Sequence, residues 1–98
     1  MAEAIVAIVS VEVRPGSEEE FLNLSRELFA LIRRKGYGSD RLIRSTKKPN
    51  LFFDIRDWTS SDAADRAHSD PEIHALWAQL DRVCAISHVV GSAREVRF

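Results

Sequence analysis

From Ala4 to Val13 almost every position is apolar. Ala4, Val6 and Ile8 fall on one alternating set, and Ile5, Ala7, Val9, Val11 and Val13 on the other. This pattern predicts a strand covered on both faces. Pro15-Gly16 stops it, and Ser17 with Glu20 three residues on reads as a capping box. Phe21, Leu24, Leu28, Leu31 and Ile32 then recur at helical spacing, widened by Leu22 and Phe29. Glu18, Glu19 and Glu20 suit the positive end of that helix and Arg33, Arg34 and Lys35 the negative end, and Gly36 closes it.

Asp40 to Thr46 reads as a second strand, Lys47-Lys48-Pro49-Asn50 as a turn, and Leu51 to Trp58 as a third strand in hairpin with the second. Thr59 and Ser60 begin a helix that runs to about His68. Asp70-Pro71-Glu72 restarts it, with Asp as N-cap and Pro in the first helical position. Ile73, Leu76, Trp77, Leu80 and Val83 form its apolar stripe, and Ile86 to Phe98 reads as a fourth strand. The order β-α-β-β-α-β is the split βαβ, ferredoxin-like α+β arrangement, a four-stranded antiparallel sheet with helices on one face. Helices cover only one sheet face, so the doubly apolar first strand leaves Val and Ile on the other. Two copies packed sheet to sheet would bury them, which makes a homodimer the expected assembly.

With 98 residues the chain is a single domain spanning 1–98, long enough to bury roughly 65% of its unfolded surface. Lys+Arg 14 against Asp+Glu 15 gives a net charge of −1. That balance offers no electrostatic footprint for nucleic acid or an anionic membrane. One cysteine, Cys84, cannot form an internal disulfide. Glu3 stands where a secretory leader would be positive, and the run Ala4–Val9 is too short for a leader core or a membrane span. A cytoplasmic location is therefore expected.

Several strings taken together resemble the antibiotic biosynthesis monooxygenase family. They are Val13-Arg14-Pro15-Gly16-Ser17-Glu18-Glu19-Glu20-Phe21, Gly36-Tyr37, Ile55-Arg56-Asp57-Trp58 with Thr59-Ser60-Ser61-Asp62-Ala63, and Ala67-His68-Ser69-Asp70-Pro71-Glu72-Ile73-His74-Ala75-Leu76. The resemblance implies a dimeric α+β barrel of two ferredoxin-like protomers. It also implies a small-molecule substrate and, in one branch, oxidation of phenols or hydroquinones by O2 with no metal or other cofactor. The haem-degrading branch fits badly, because Val9, Ala67 and Trp77 stand where its members place Asn, Trp and His. The phenol-oxidising branch fits in part. Asp54 and Trp58 occupy positions where its members carry Asn and Trp, Ala64 stands near a Tyr of the branch, and Arg56 stands where many members carry Glu.

Phe52, Asp54, Arg56 and Trp58 share one face of the third strand by period two. Buried charges there must pair, be wetted or border a polar cavity. One reading makes them a pocket wall, with Asp54 as base or acceptor and Arg56 as a clamp for an anionic or phenolate substrate. The other makes them a structural ion pair or a polar patch between protomers. Trp58 offers a ring for stacking and an N–H for a developing oxyanion, or packs under the second helix. His68 is a candidate base near neutral pH, and His74 and His88 lack metal-ligand spacing with it. Trp77 lines the pocket or packs in the core, and Tyr37 closes the cavity or packs its loop. The candidate set is thus His68, Asp54 and Trp58 for catalysis, and Arg56, Phe52, Trp77 and Tyr37 for substrate binding. Either oxygenation, an isomerase or lyase step, or ligand binding without catalysis is compatible with it.

Overall fold

The structure, a computed structural model, describes residues 4–98. The reading of Glu3 lies outside the described residues. Seven elements follow in order: β1 (Ile5–Val13), α1 (Glu18–Arg34), β2 (Gly38–Arg44), β3 (Leu51–Trp58), α2 (Ser61–His68), α3 (Pro71–Val83) and β4 (Cys84–Ala93). All neighbouring strands pair antiparallel, in the sheet order β2-β3-β1-β4. This is the ferredoxin-like α+β arrangement, with its second helix in two parts.

The break between α2 and α3 follows from local chemistry. Ser69 ends one helix, and Asp70 starts the next by accepting from the Glu72 amide at 2.9 Å with Pro71 behind it. Ser60 caps α2 in the same way, accepting from Ala63 N at 3.0 Å. Ser17 does not. It occupies the N-cap of α1 at φ −107° and ψ 8° and makes no side-chain cap bond. An extended backbone is what aims a capping oxygen at the next amides, and Ser17 lacks it.

Two strands, β2 and β4, have different ends from the sequence reading. β2 stops at Arg44 because Ser45 turns the chain, its Oγ accepting from the amides of Lys47 and Lys48. β4 begins at Cys84, which is already extended and pairs with Val13. It ends at Ala93, opposite Val6 near the start of β1. Among the described residues the segment 94–98, expected as strand, is not part of the sheet.

One sheet face packs on the helices. Ile5, Val11, Val13, Phe52, Trp58 and Cys84 join Phe21, Leu24, Leu28, Leu31 and Ile32 of α1 and Ile73, Leu76, Leu80 and Val83 of α3 in one core. The opposite face carries Val6, Ile8, Phe53 and Ile55, half-buried only by their sheet neighbours, and the exposed Ile43. Gly38 lies opposite Trp58, and a Cβ there would meet the Asp57 carbonyl oxygen at 2.3 Å, so only glycine lets β2 approach β3 at this point. Among the described residues no helix is long and apolar enough to cross a membrane.

Candidate active site

On β3 every second side chain turns toward the helices. Phe52, Asp54, Arg56 and Trp58 are all buried, and Asp54 and Arg56 are each only 7% exposed. Charged groups that deep require partners. The hairpin supplies one, because its register sets Asp40 of β2 opposite Arg56. Arg56 donates from Nε to Asp40 Oδ2 at 2.5 Å and from Nη2 to Asp54 Oδ2 at 2.8 Å. The Asp40 side chain is fully buried. One guanidinium therefore serves two carboxyl groups. The remaining oxygens, Asp40 Oδ1 and Asp54 Oδ1, are buried without a hydrogen-bond partner.

Burial pushes the Asp54 carboxyl from an ordinary 3.8 up to about 8. Arg56 pulls it down, and the Asp40 carboxyl beside it pushes it up. The shift favours the neutral carboxyl near neutral pH, and the sequence reading had offered Asp54 as base or acceptor.

Beyond Arg56 lies a line of rings. The guanidinium carbon of Arg56 is 5.1 Å from the Trp58 ring centre. Trp58 and His68 are 5.8 Å apart, His68 and Trp77 5.3 Å, and Trp77 and His74 5.4 Å. All these separations fall in the range of tilted aromatic packing. His68 Nδ1 is 2.6 Å from the Ala64 carbonyl oxygen, and His74 Nε2 contacts the His68 carbonyl. A carbonyl only accepts, so His68 Nδ1 carries hydrogen and the Nε2 of its neutral form holds the lone pair. The helix break sets this geometry by placing His68 on the last residue of α2 and His74 in the first turn of α3.

Between the sheet and the helices is a cavity of about 710 Å3. Asp54, Arg56, Trp58, His68, His74 and Trp77 border it, along with Ala7 and Val9 of β1 and Phe29 of α1. A space of this size takes a molecule of several fused rings. Five sequence candidates (Asp54, Arg56, Trp58, His68 and Trp77) are thus brought to one cavity. The other two lie elsewhere. Phe52 packs 5.0 Å from Phe21 beneath the cavity, with Arg44 against its ring. The Tyr37 hydroxyl donates to Asp70 Oδ2 at 2.7 Å, and Lys35 bonds Asp70 and Glu72 at 2.7 Å each. Tyr37 therefore ties the end of α1 to the start of α3 and fixes the break that carries the two histidines.

The sequence reading missed Asp40, buried Ser25 and the cavity-facing Asp81. Asp40 had a signal. Counting outward from the Lys47–Asn50 turn comes within one residue of it, pairing Asp40 with Asp57, and the real register, with Ser45 bonded to Leu51, sets it opposite Arg56. Among the described residues no group of three or more His, Cys, Asp or Glu is arranged to hold a metal ion.

The family model for antibiotic biosynthesis monooxygenase matches residues 4–79, most of the chain. The chain belongs to the antibiotic biosynthesis monooxygenase family. Solved structures agree on the fold. SnoaB, a cofactor-independent oxygenase from Streptomyces nogalater, is 24% identical, with 97% of each chain covered and a TM-score of 0.83. A putative antibiotic biosynthesis monooxygenase from Nitrosomonas europaea is 14% identical, with 95% of this chain and 92% of that one covered and a TM-score of 0.80. A Bacteroides thetaiotaomicron protein of unknown function, described as a possible oxidoreductase, is 12% identical, with 95% and 100% covered and a TM-score of 0.82. No curated protein matches the sequence. At these identities the likeness to solved structures is one of fold.

Proposed function

We propose that this antibiotic biosynthesis monooxygenase family member is a cytoplasmic homodimeric enzyme. It inserts one oxygen atom of O2 into a small uncharged hydroxyarene and needs no bound cofactor. The observation that carries the reading is the cavity, about 710 Å3 between sheet and helices, bordered by two tryptophan rings, histidines and a buried carboxyl. The SnoaB likeness supports the reaction class.

An uncharged substrate is favoured because Arg56 already spends two donors on carboxyl groups of its own sheet. Its place is to hold Asp54 against the cavity. Trp58 and Trp77 offer faces to a planar ring. His68, through Nε2, takes a proton from an acidic ring carbon or methylene, and the carbanion reduces O2 to form a carbon–peroxide bond. The substrate supplies the electrons. The peroxide accepts a proton, and loss of water leaves a carbonyl, so that a methylene plus O2 becomes a ketone plus water. Pairing of two outer sheet faces through Val6, Ile8, Phe53, Ile55 and Ile43 completes the dimer.

Turnover under labelled dioxygen tests the reaction. The account expects one labelled oxygen in the product and the other in water. Turnover under strictly anaerobic conditions would replace oxygenation by an isomerase or lyase step.

A further inference from the structure

Two buried acids share one arginine, and each keeps one oxygen without a partner. With both acids ionised the trio would carry a net negative charge, and two buried lone-pair-bearing oxygens would face no donor, an arrangement that costs free energy. A single added proton removes both faults. It neutralises the trio and can be shared between the two carboxyl groups, whose side chains are hydrogen-bonding neighbours.

We propose that Asp40 and Asp54 hold one proton between them, and that Asp54 is its outlet into the cavity and Asp40 the positioning residue behind it. This rests on the monooxygenase reading for its catalytic use but not for its existence. Asp54 borders the cavity, whereas the fully buried Asp40 does not. Arg56 fixes both carboxyl groups at once, from Nε and from Nη2. The raised proton affinity of Asp54 agrees, since burial and the neighbouring Asp40 carboxyl both favour the neutral form. Like-charged carboxyl groups held together cannot both ionise freely, so one keeps its proton.

In the reaction the pair gives this proton to the substrate peroxide, breaking the Asp54 O–H bond and forming the peroxide O–H bond. The proton that His68 took from the substrate carbon restores the pair, and the cycle closes with no net proton uptake. The other ionisable groups that face the cavity are His68 on α2, His74 and Asp81 on α3, and Cys84 and His88 on β4. The cavity-facing residues of β1 are Ala7, Val9 and Val11, and those of α1 are Phe21, Ser25, Leu28 and Phe29, none of them ionisable near neutral pH.

The test is a carbon-13 NMR titration of the aspartate carboxyls in the intact protein, beside the pH profile of turnover. One aspartate should titrate above neutrality in the wild type. In Asp40→Asn its midpoint should fall by about one to three pH units, the effect of removing a neighbouring like charge. The pH profile of turnover should move with it. Wild-type carboxyls that all titrate in the ordinary acidic range would overturn the shared proton, whether or not the variant folds. An unmoved midpoint in a folded Asp40→Asn protein would overturn the role of Asp40. A titration as expected without any O2-dependent turnover supports the pair and counts against the monooxygenase reading alone.

Discussion

Replacing Arg56 by Met keeps much of the side chain's length and removes its charge and donors. Arg56 is 7% exposed, and it bonds Asp40 and Asp54 at 2.5 and 2.8 Å. Its loss leaves two buried carboxyl groups with no cation. Removing one partner from a buried ion pair costs about 3–5 kcal/mol. With a urea slope of about 1–3 kcal/mol per molar, the midpoint should fall by at least about 1 M. The cost must also depend on pH. Asp54 is raised from 3.8 to about 8, so the folded state binds more protons than the unfolded state between those values. Its contribution to stability is therefore full below 3.8 and is lost as pH rises through about 8. Without Arg56 to favour the ionised form, that loss extends to higher pH and deepens. Urea unfolding followed by tryptophan fluorescence at pH 5, 7 and 9 should show the variant's deficit growing steadily with pH. A deficit equal at all three, or below about 1 kcal/mol throughout, would refute the buried trio.

Gly38→Ala should loosen the β2–β3 pairing beside Trp58, because its Cβ would meet the Asp57 carbonyl at 2.3 Å. A cost of about 1–3 kcal/mol in urea unfolding is expected, and an unchanged midpoint would contradict the close approach. Asp70→Ala removes the α3 cap together with the Lys35 and Tyr37 bonds. The hydrogen bonds from Lys35 and then Tyr37 hold the Asp70 carboxyl down at about 2, below an ordinary 3.8, so its contribution is present above 3.8 and lost as pH falls through about 2. Acid unfolding of the variant should lose that limb, which circular dichroism would follow. Ile55→Asp puts a charge on the outer sheet face, and sedimentation should show the proposed dimer converted to monomer, whereas a monomeric wild type or an unaltered mass would contradict the proposed pairing of these faces.

The elements were legible because their signals are local. Asp70-Pro71-Glu72 carries its own cap, and the period-two face of Leu51 to Trp58 reads directly from residue types. The end of β4 was not legible, since Arg94 to Phe98 alternates like a strand and only the pairing register, which ends at Val6 with Ala93, shows where the strand stops. The site divides in the same way. Asp54, Arg56 and Trp58 follow from strand alternation, but Asp40 needs the hairpin register, and Tyr37 needs knowledge that Asp70 lies across from it. The raised proton affinity of Asp54 was the least legible feature. A single strand shows an acid two residues from a base and suggests a simple pair, and only the fold reveals the second acid and the depth of burial.

The central claim is O2 chemistry without a cofactor, and O2 uptake by the metal-free protein addresses it most directly. The probes are a panel of hydroquinones, naphthalenediols and anthrones, each measured against its own autoxidation. The account predicts uptake well above that background for at least one class, sharply reduced in His68→Gln. Uptake no faster than autoxidation across the whole panel would contradict it.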